Sequence, residues 1–247
     1  MNELASLEID GRVARITLTR EDKRNALSQG LLDELQRLVD DVDADEGVSV
    51  CVFTGAGKSF CAGMDLRAVL DEPGAPLTML SRIAELTIAI RGMKAVTVAR
   101  VNGAAIGGGC GLVSVCDIAI THESAKLGFP EVDLGVCPAV VAPWLVARIG
   151  AGRARATLLM GGTMSGTRAA EIGLVTSCVG DDQLDEAVEK TMSRLAKAGP
   201  NALRVTKELL NELDGEALHA AVRKGATLSA EVVTSDEARA MLGAIYK

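Results

Sequence analysis

The chain is poor in aromatic residues and in histidine. Of 247 residues, five are aromatic and only two, His122 and His219, are histidines. A serine–histidine triad or a histidine-ligated metal centre needs imidazoles in a defined pattern, so this composition argues against both. Hydrophobic residues nevertheless make up 48% of the chain. The core therefore has to be built mainly from aliphatic side chains.

Long apolar runs and a leader pattern are also missing. No apolar stretch approaches the ~20 residues that span a bilayer, and the N-terminal residues do not combine basic residues, an apolar run and a cleavage site. The formal net charge of −7 argues against non-specific binding to nucleic acid. We therefore expect a cytoplasmic protein with no membrane or nucleic-acid partner.

Cysteine is present without any ligand or disulfide pattern. The six cysteines contain no CxxC pair, and most of them lie inside apolar runs. This placement is typical of reduced, buried thiols. We expect neither a disulfide framework nor a metal ion.

Glycine is concentrated in two stretches that each follow an apolar run. The first, residues 50–66, reads Val-Cys-Val-Phe-Thr-Gly-Ala-Gly-Lys-Ser-Phe-Cys-Ala-Gly-Met-Asp-Leu, and the second, residues 99–117, contains three adjacent glycines at 107–109. The spacing fits neither a phosphate-binding P-loop nor a GxGxxG motif. Ordering three adjacent glycines costs entropy, so either another backbone packs very close or the N–H groups face a ligand. Both interpretations stay open at this point.

A third stretch, residues 125–140, carries a carboxylate directly after a proline. It reads Ala-Lys-Leu-Gly-Phe-Pro-Glu-Val-Asp-Leu-Gly-Val-Cys-Pro-Ala-Val, and in isolation Glu131 would be an ordinary loop residue. Together, the three stretches resemble the signature of the crotonase superfamily, the enoyl-CoA hydratase/isomerase family. The resemblance covers nearly the whole chain.

The resemblance implies a fold and a mode of assembly. The expected class is α/β, with a crotonase-like ββα spiral core over residues 1–190 that carries the acyl-CoA site. A C-terminal helical region, residues 191–247, would cover the site and build homotrimers or hexamers. Coenzyme A is implied as part of the substrate, and no separate cofactor is expected.

The resemblance also implies roles for individual residues. The N–H groups of Met64 and Gly108 would surround the thioester oxygen of an acyl-CoA and stabilise an enolate, while Glu131 would act as general acid/base. Contacts to coenzyme A would come from the segment Lys-Arg-Asn-Ala-Leu at 23–27 and from the first glycine stretch. The residues implied there are Lys23, Arg24, Ala26, Ala62 and Asp65.

One position departs from the pattern. Typical hydratases of the family carry a second glutamate three residues beyond the oxyanion glycine, where this chain has Gly111. Hydration of a 2-enoyl-CoA would then require Glu131 to act as both acid and base, or help from Asp71, Glu72 or Glu85.

The departure leaves alternatives open. A 3-enoyl-CoA to 2-enoyl-CoA isomerase needs only one carboxylate, and a non-catalytic acyl-CoA binding protein needs none. No residue singles out a thioester hydrolase. Residues 131–143 resemble the branch that hydrates methyl-branched enoyl-CoA substrates, which favours a hydratase. Acyl length and branching, pathway, and trimer against hexamer are not determined by the sequence.

The pattern of apolar, turn-forming and helix-capping residues predicts the local structure around these motifs. We expect a hairpin over residues 4–19, a helix capped by Ser28, strands at 48–54, 96–101 and 117–121, a loop or short helix at 67–78 and a helix at 79–93. From residue 139 onward the chain reads as helices, one of them capped by Ser165, with one strand at 174–179. Asp65 suits the N-cap of a helix that follows it. The apolar candidates for the acyl pocket are Met64, Leu66, Leu86, Leu134 and Trp144.

Overall fold

A six-stranded sheet forms the centre of the computed structural model, which describes residues 3–66 and 74–245. In spatial order its strands are β1 (Ala5–Asp10), β2 (Val13–Leu18), β3 (Val50–Gly55), β5 (Val96–Val101), β7 (Ile118–His122) and β10 (Ser177–Val179). The hairpin β1–β2 is antiparallel and the other neighbours are parallel. The predicted hairpin and the predicted strand at 96–101 are confirmed.

A second, four-stranded sheet lies beside the C-terminal ends of the central strands. It contains β4 (Ser59–Cys61), β6 (Ala104–Ile106), β8 (Lys126–Gly128) and β9 (Thr163–Ser165), in that order. Each of β3, β5 and β7 continues into a short strand of this sheet, so the chain repeats one ββ unit along a spiral. This is the ββα spiral that the family resemblance implies. The three-residue strands themselves were not predicted, because they are too short to show an alternating pattern.

Helices cover both faces of the large sheet. They are α1 (Gln29–Ala44), α2 (Ala75–Gly92), α3 (Gly108–Val115), α4 (Ala142–Ile149), α5 (Ala151–Met160), α6 (Gly166–Glu171), α7 (Leu184–Ala196), α8 (Pro200–Asp214), α9 (Glu216–Val233) and α10 (Asp236–Ile245). Strand β3 is buried along its whole length, as expected for a parallel strand covered on both faces. No helix within the described ranges is long and apolar enough to cross a bilayer.

The helix limits differ from the sequence prediction at several ends. The Ser28 and Ser165 hydroxyls cap α1 and α6, accepting from Leu31 N at 3.3 Å and from Arg168 N at 3.2 Å, as predicted. Helix α2 begins at Ala75, four residues earlier than predicted, with Pro76 in its first turn, where a missing N–H costs nothing. The rest of the predicted loop, residues 67–73, lies outside the described residues, as does all but the first residue, Leu66, of the helix that Asp65 was predicted to cap.

The C-terminal third is helical, but its proposed boundary crosses an element. Helix α7 runs through residue 190, and its Leu184, Val188 and Met192 pack on the valines of β3 and β5 that face away from the main core. The division into 1–190 and 191–247 therefore stays a prediction. Whereas α7 packs on the sheet, α9 contacts α2 and α4, and α10 contacts the segment after Glu131.

A partly buried ionic cluster fastens α8 to the sheet. Lys207 is 5% exposed. Its ammonium group donates to the Ala95 carbonyl at 2.8 Å and pairs with Asp117 Oδ2 at 2.8 Å. Asp117 also accepts from Thr97 N at 2.8 Å and from its hydroxyl at 2.9 Å. Breaking a buried pair leaves an uncompensated charge, so this cluster holds the C-terminal helices in place.

We expect Lys207→Met to lower the free energy of unfolding by about 3 kcal/mol, because the substitution keeps the apolar stem and leaves Asp117 short of a cation. The matched control is Arg204→Met on the same helix, which removes an exposed pair with Glu208 and should cost about 0.5 kcal/mol or less. Urea unfolding of both variants gives the comparison. Equal losses would contradict the assignment of Lys207 to a buried anchoring role.

Candidate active site

Two loops that are far apart in the sequence pair alongside each other at the site. Leu27 N donates to Gly63 O at 2.8 Å, and Asp65 N donates to Leu27 O at 2.9 Å, which makes a short parallel bridge between Leu27 and Met64. Ala62 N donates to Arg24 O at 3.0 Å. Gly63 and Asp65 thus form the two hydrogen bonds to Leu27, and in a parallel bridge the residue between them has its N–H on the opposite side of the strand. The Met64 N–H therefore points away from Leu27.

The Met64 amide lies next to the first amide of α3. A Cβ built on Gly108 would lie 3.9 Å from Met64 N, and one built on Gly63 would lie 3.5 Å from Gly108 N. Among residues 3–66 and 74–245, neither N–H has a backbone acceptor. Because Gly108 opens a helix, its N–H is also at the positive end of the helix dipole. Two free donors thus lie side by side.

The three adjacent glycines serve different purposes. A Cβ on Gly109 would lie 2.2 Å from the carbonyl oxygen of Cys61, so that glycine permits close packing of α3 on β4. Gly107 has φ +53°, and a Cβ there would lie 2.7 Å from Glu131 Oε1. Gly108 leaves its own amide open. The close-packing interpretation is therefore confirmed at Gly109, and the interpretation in which an N–H group faces a ligand stays a prediction for Gly108.

Glu131 follows β8 by three residues, and its carboxyl group lies against Gly107, next to the start of α3. Its carbonyl accepts from Leu134 N at 3.0 Å and Val136 N at 2.9 Å, which fixes the turn that follows. Its Oε2 is buried, and no hydrogen-bond partner for it occurs among the described residues. Burial disfavours the charged form and raises the pKa of Glu131 to about 7. The carboxyl group is thus poised to take up and release a proton near neutral pH.

A mostly apolar pocket surrounds the two amides and Glu131. Met64, Leu66 and Leu134, three of the predicted wall residues, line it, together with Leu80, Ile83 and Val140. The prediction for Leu86 and Trp144 was wrong. Neither is among the residues that line the pocket, and both are almost fully buried in the main core. Trp144 Nε1 there donates to Thr87 Oγ1 at 3.1 Å.

Val141 fills the place next to Gly111. A Cβ on Gly111 would lie 2.6 Å from Val141 Cγ1, closer than two carbons can approach. A glutamate side chain therefore does not fit at this position unless Val141 moves. The carboxylate that the family pattern would supply here is replaced by an apolar contact.

Among the described residues, no other carboxylate that was considered for catalysis lies at the site. Glu85 forms a two-bond pair with Arg223, at 2.7 and 2.9 Å, outside the pocket, and this arginine lowers the pKa of Glu85. The hypothesis that Glu85 assists is therefore wrong. Asp71 and Glu72 lie outside the described residues.

The residues predicted to bind coenzyme A lie along the paired loops. Lys23 and Arg24 are exposed, and Arg24 has a left-handed backbone with φ +51°. The Arg20 guanidinium donates to the Ala26 carbonyl and to Asp65 Oδ2, the latter at 3.4 Å. Ala62 lines the pocket at the point where the two loops meet.

Sequence reasoning missed Asn25, which is fully buried and supports these loops. Its Nδ2 donates to the carbonyls of Ala56 at 3.0 Å and Ser59 at 2.8 Å. Like its neighbour Arg24 it has positive φ, +57°, which asparagine tolerates better than most residues. An asparagine in a polar, turn-like segment was the only available signal, and it did not indicate burial.

Comparison with known proteins identifies the family of this chain. A family profile described as Enoyl-CoA hydratase/isomerase matches residues 8–245. The chain belongs to the enoyl-CoA hydratase/isomerase family. The predicted membership of the crotonase superfamily is confirmed.

Relatives agree with this assignment over most of their length. A putative enoyl-CoA hydratase of Thermus thermophilus is 34% identical over 241 residues, which are 96% of this chain and 95% of that protein. The 2,3-dehydroadipyl-CoA hydratase of Escherichia coli is 32% identical over 210 residues, covering 85% and 82% of the two chains. The crystal structure of an enoyl-CoA hydratase from Mycobacterium avium superposes with a TM-score of 0.89 at 31% identity, covering 100% of this chain and 97% of that one. The predicted α/β fold class with a crotonase-like core is confirmed, and the trimerisation role of the C-terminal helices stays a prediction.

The raised pKa of Glu131 predicts a dependence of stability on pH. The folded protein holds this proton up to about pH 7, whereas an ordinary glutamate loses it near 4.5. Between these values the folded state binds more protons than the unfolded chain, so the wild-type protein loses stability as pH rises. We expect Glu131→Gln to gain stability relative to wild type across this window and to level off above pH 7, at up to about 3 kcal/mol.

Urea unfolding at a series of pH values measures this difference. Glu85→Gln is the matched control, because the pKa of Glu85 is lowered. Its substitution should cost stability near neutrality, and that cost should fade as pH falls. A Glu131→Gln difference that stays flat from pH 4 to 8 would contradict a raised pKa at Glu131.

Proposed function

We propose that this protein is an enoyl-CoA hydratase that adds water to a 2-enoyl-CoA thioester with Glu131 as its single acid/base. One observation carries the proposal. A carboxylate oxygen of Glu131 and the amides of Met64 and Gly108, none of which has a hydrogen-bond partner among the described residues, line one mostly apolar pocket. These are the groups needed to move a proton next to a carbonyl whose oxygen is held by two donors.

In this mechanism the two amides hold the thioester oxygen. The ionised Glu131 takes a proton from water, and the water oxygen bonds to the β-carbon. The π electrons of the double bond move onto the thioester oxygen, so an enolate forms between Met64 N–H and Gly108 N–H. Glu131 then gives the proton to the α-carbon, which restores the carboxylate and yields a 3-hydroxyacyl-CoA.

The environment of Glu131 suits both halves of this cycle. With a pKa of about 7, the group is present in substantial amounts as acid and as base at neutral pH, which is the condition for efficient proton transfer in both directions. An oxyanion donor typically contributes a factor of about 100 to 1,000 to the rate. The names of the relatives, among them the Escherichia coli 2,3-dehydroadipyl-CoA hydratase, support a hydratase.

A second candidate follows from Val141. Because its side chain takes the space of a second carboxylate at Gly111, the site is also compatible with a one-base reaction, the conversion of a 3-enoyl-CoA into a 2-enoyl-CoA. There Glu131 would take a proton from the α-carbon and return it at the γ-carbon. The two amides would hold the intervening enolate.

We also propose that coenzyme A lies along the paired loops. The exposed side chains of Lys23 and Arg24 are available to its phosphates, and the backbone near Ala26, Ala62 and Asp65 lies between them and the pocket. The thioester would enter between the loops, and its acyl chain would extend towards Leu80 and Ile83. Coenzyme A is part of the substrate in this scheme.

We further propose that the chain forms homotrimers or hexamers. Helix α8 exposes Val205, Leu209 and Leu213 at helical spacing, and Leu210 beside them, with 47% to 75% of each residue accessible. Apolar side chains that recur on one exposed helix face are typical of an interface. A second copy of the chain would cover this face.

Turnover of matched substrates tests the reaction. We expect the purified protein to hydrate a 2-enoyl-CoA and Glu131→Gln to lose at least 100-fold in kcat, because the amide cannot accept the proton. The product and the 3-enoyl-CoA reaction are followed by mass spectrometry and by thioester absorbance. Conversion of the 3-enoyl substrate alone would make the isomerase correct, and no turnover of either would favour a binding protein.

Substitution of Gly108 tests the two-amide arrangement. In Gly108→Ala the new methyl group would contact Leu27 Cδ1 at 3.2 Å and lie 3.9 Å from Met64 N, over the space proposed for the thioester oxygen. We expect kcat to fall by about 100-fold or more. Gly152→Ala, where nothing lies within 4 Å, is the control and should keep wild-type kcat. Near-normal kcat in a folded Gly108→Ala protein would remove this amide from the mechanism.

A further inference from the structure

The mechanism gives no role to the thiol of Cys137, one of the residues that line the pocket. All six cysteines are free, and Cys51, Cys61, Cys110 and Cys116 are buried. Cys137 and Cys178 are partly exposed. Of these two, only Cys137 lines the pocket that contains Glu131. Cys178 lies on β10 at the edge of the large sheet.

The backbone around Cys137 is held firmly against α9. Ser229 Oγ donates to the Cys137 carbonyl at 2.7 Å and accepts from Val140 N at 3.3 Å. One turn earlier in α9, a Cβ on Gly225 would lie 2.1 Å from the Ala139 carbonyl oxygen, so helix and loop are in direct backbone contact. Cys137 is therefore a fixed part of the pocket wall.

Glu131 supplies a base in the same pocket. Burial raises the pKa of the Cys137 thiol above its usual range, the Ala139 N–H opposes this, and the negative charge of Glu131 raises the pKa of the thiol further. The thiol is thus protonated at neutral pH and needs a base before it can react. The buried Oε2 of Glu131, which has no partner in the described structure, is available to accept that proton.

We propose that Cys137 is a covalent modification site for α,β-unsaturated acyl thioesters, which it captures by conjugate addition inside the acyl pocket. The inference rests on the proposed function only in using the same bound thioester. A thioester oxygen held by the Met64 and Gly108 amides makes the β-carbon electrophilic towards any nucleophile in the pocket. Cys137 competes there with water.

The reaction balances without any further reactant. Glu131 takes the thiol proton, the sulfur of Cys137 bonds to the β-carbon, and the π electrons move onto the thioester oxygen. Glu131 then gives the same proton to the α-carbon. The product is a thioether that retains the whole acyl-CoA, so the protein gains the full mass of the enoyl-CoA. While the adduct persists, the pocket is closed to substrate.

Intact-mass spectrometry of the full chain tests this. The wild-type protein, Cys137→Ser and Cys178→Ser are each incubated with a 2-enoyl-CoA and, separately, with the saturated acyl-CoA of the same length, and are then quenched in acid. We expect one enoyl-CoA mass on the wild type and on Cys178→Ser, at least tenfold less on Cys137→Ser, and none from the saturated thioester. Peptide mapping should locate the adduct at Cys137. Glu131→Gln should form it about 100-fold more slowly.

Hydration is measured in the same samples, so that the two proposals fail separately. Hydration without an adduct overturns the role of Cys137 and leaves the proposed function standing. An adduct at Cys137 without hydration supports the modification site and counts against the hydratase. An adduct on Cys178, or an equal adduct on Cys137→Ser, overturns the assignment. Cys137→Val provides a second variant if Cys137→Ser does not fold.

Discussion

The site depends on a close approach between two glycine-rich backbones. Helix α3 can press against β4 only because Gly109 has no side chain facing the Cys61 carbonyl. This contact brings the start of α3 next to the loop that contains Gly63 and Met64. The loop is itself held in register by its pairing with Leu27. Two amides that are 44 positions apart in the sequence therefore become neighbours without any side chain between them.

The environment of Glu131 follows from the same packing. Because the glycines supply no polar side chain, the carboxyl group faces bare backbone and a mostly apolar pocket wall. Among the residues that the structure describes, no opposing charge balances this desolvation, and the pKa of Glu131 rises to about 7. A cation near Glu131 would have held the pKa low and left the group ionised. The absence of side chains at residues 107–109 thus contributes as much to the chemistry as the glutamate itself.

Much of the architecture could be predicted from the sequence, because it depends on local patterns. The hairpin, the caps at Ser28 and Ser165 and the strand at 96–101 all have a signal within a few residues. The small sheet, the burial of Asn25 and the contact of Val141 with Gly111 have none, since each depends on partners distant in the chain. The wrong prediction for Trp144 and Leu86 has the same cause. An apolar residue near a site in sequence has the same composition signal whether it lines the pocket or packs in the core.

The contact between Val141 and Gly111 has a consequence for how this site can change over generations. A single substitution that introduces a carboxylate at Gly111 meets Val141 Cγ1 before its side chain can extend, and removal of Val141 alone opens a void in the core. Either substitution made alone is expected to lower the stability of the fold without adding a usable carboxylate to the pocket. The passage between one-carboxylate and two-carboxylate versions of this pocket is therefore expected to involve changes at both positions.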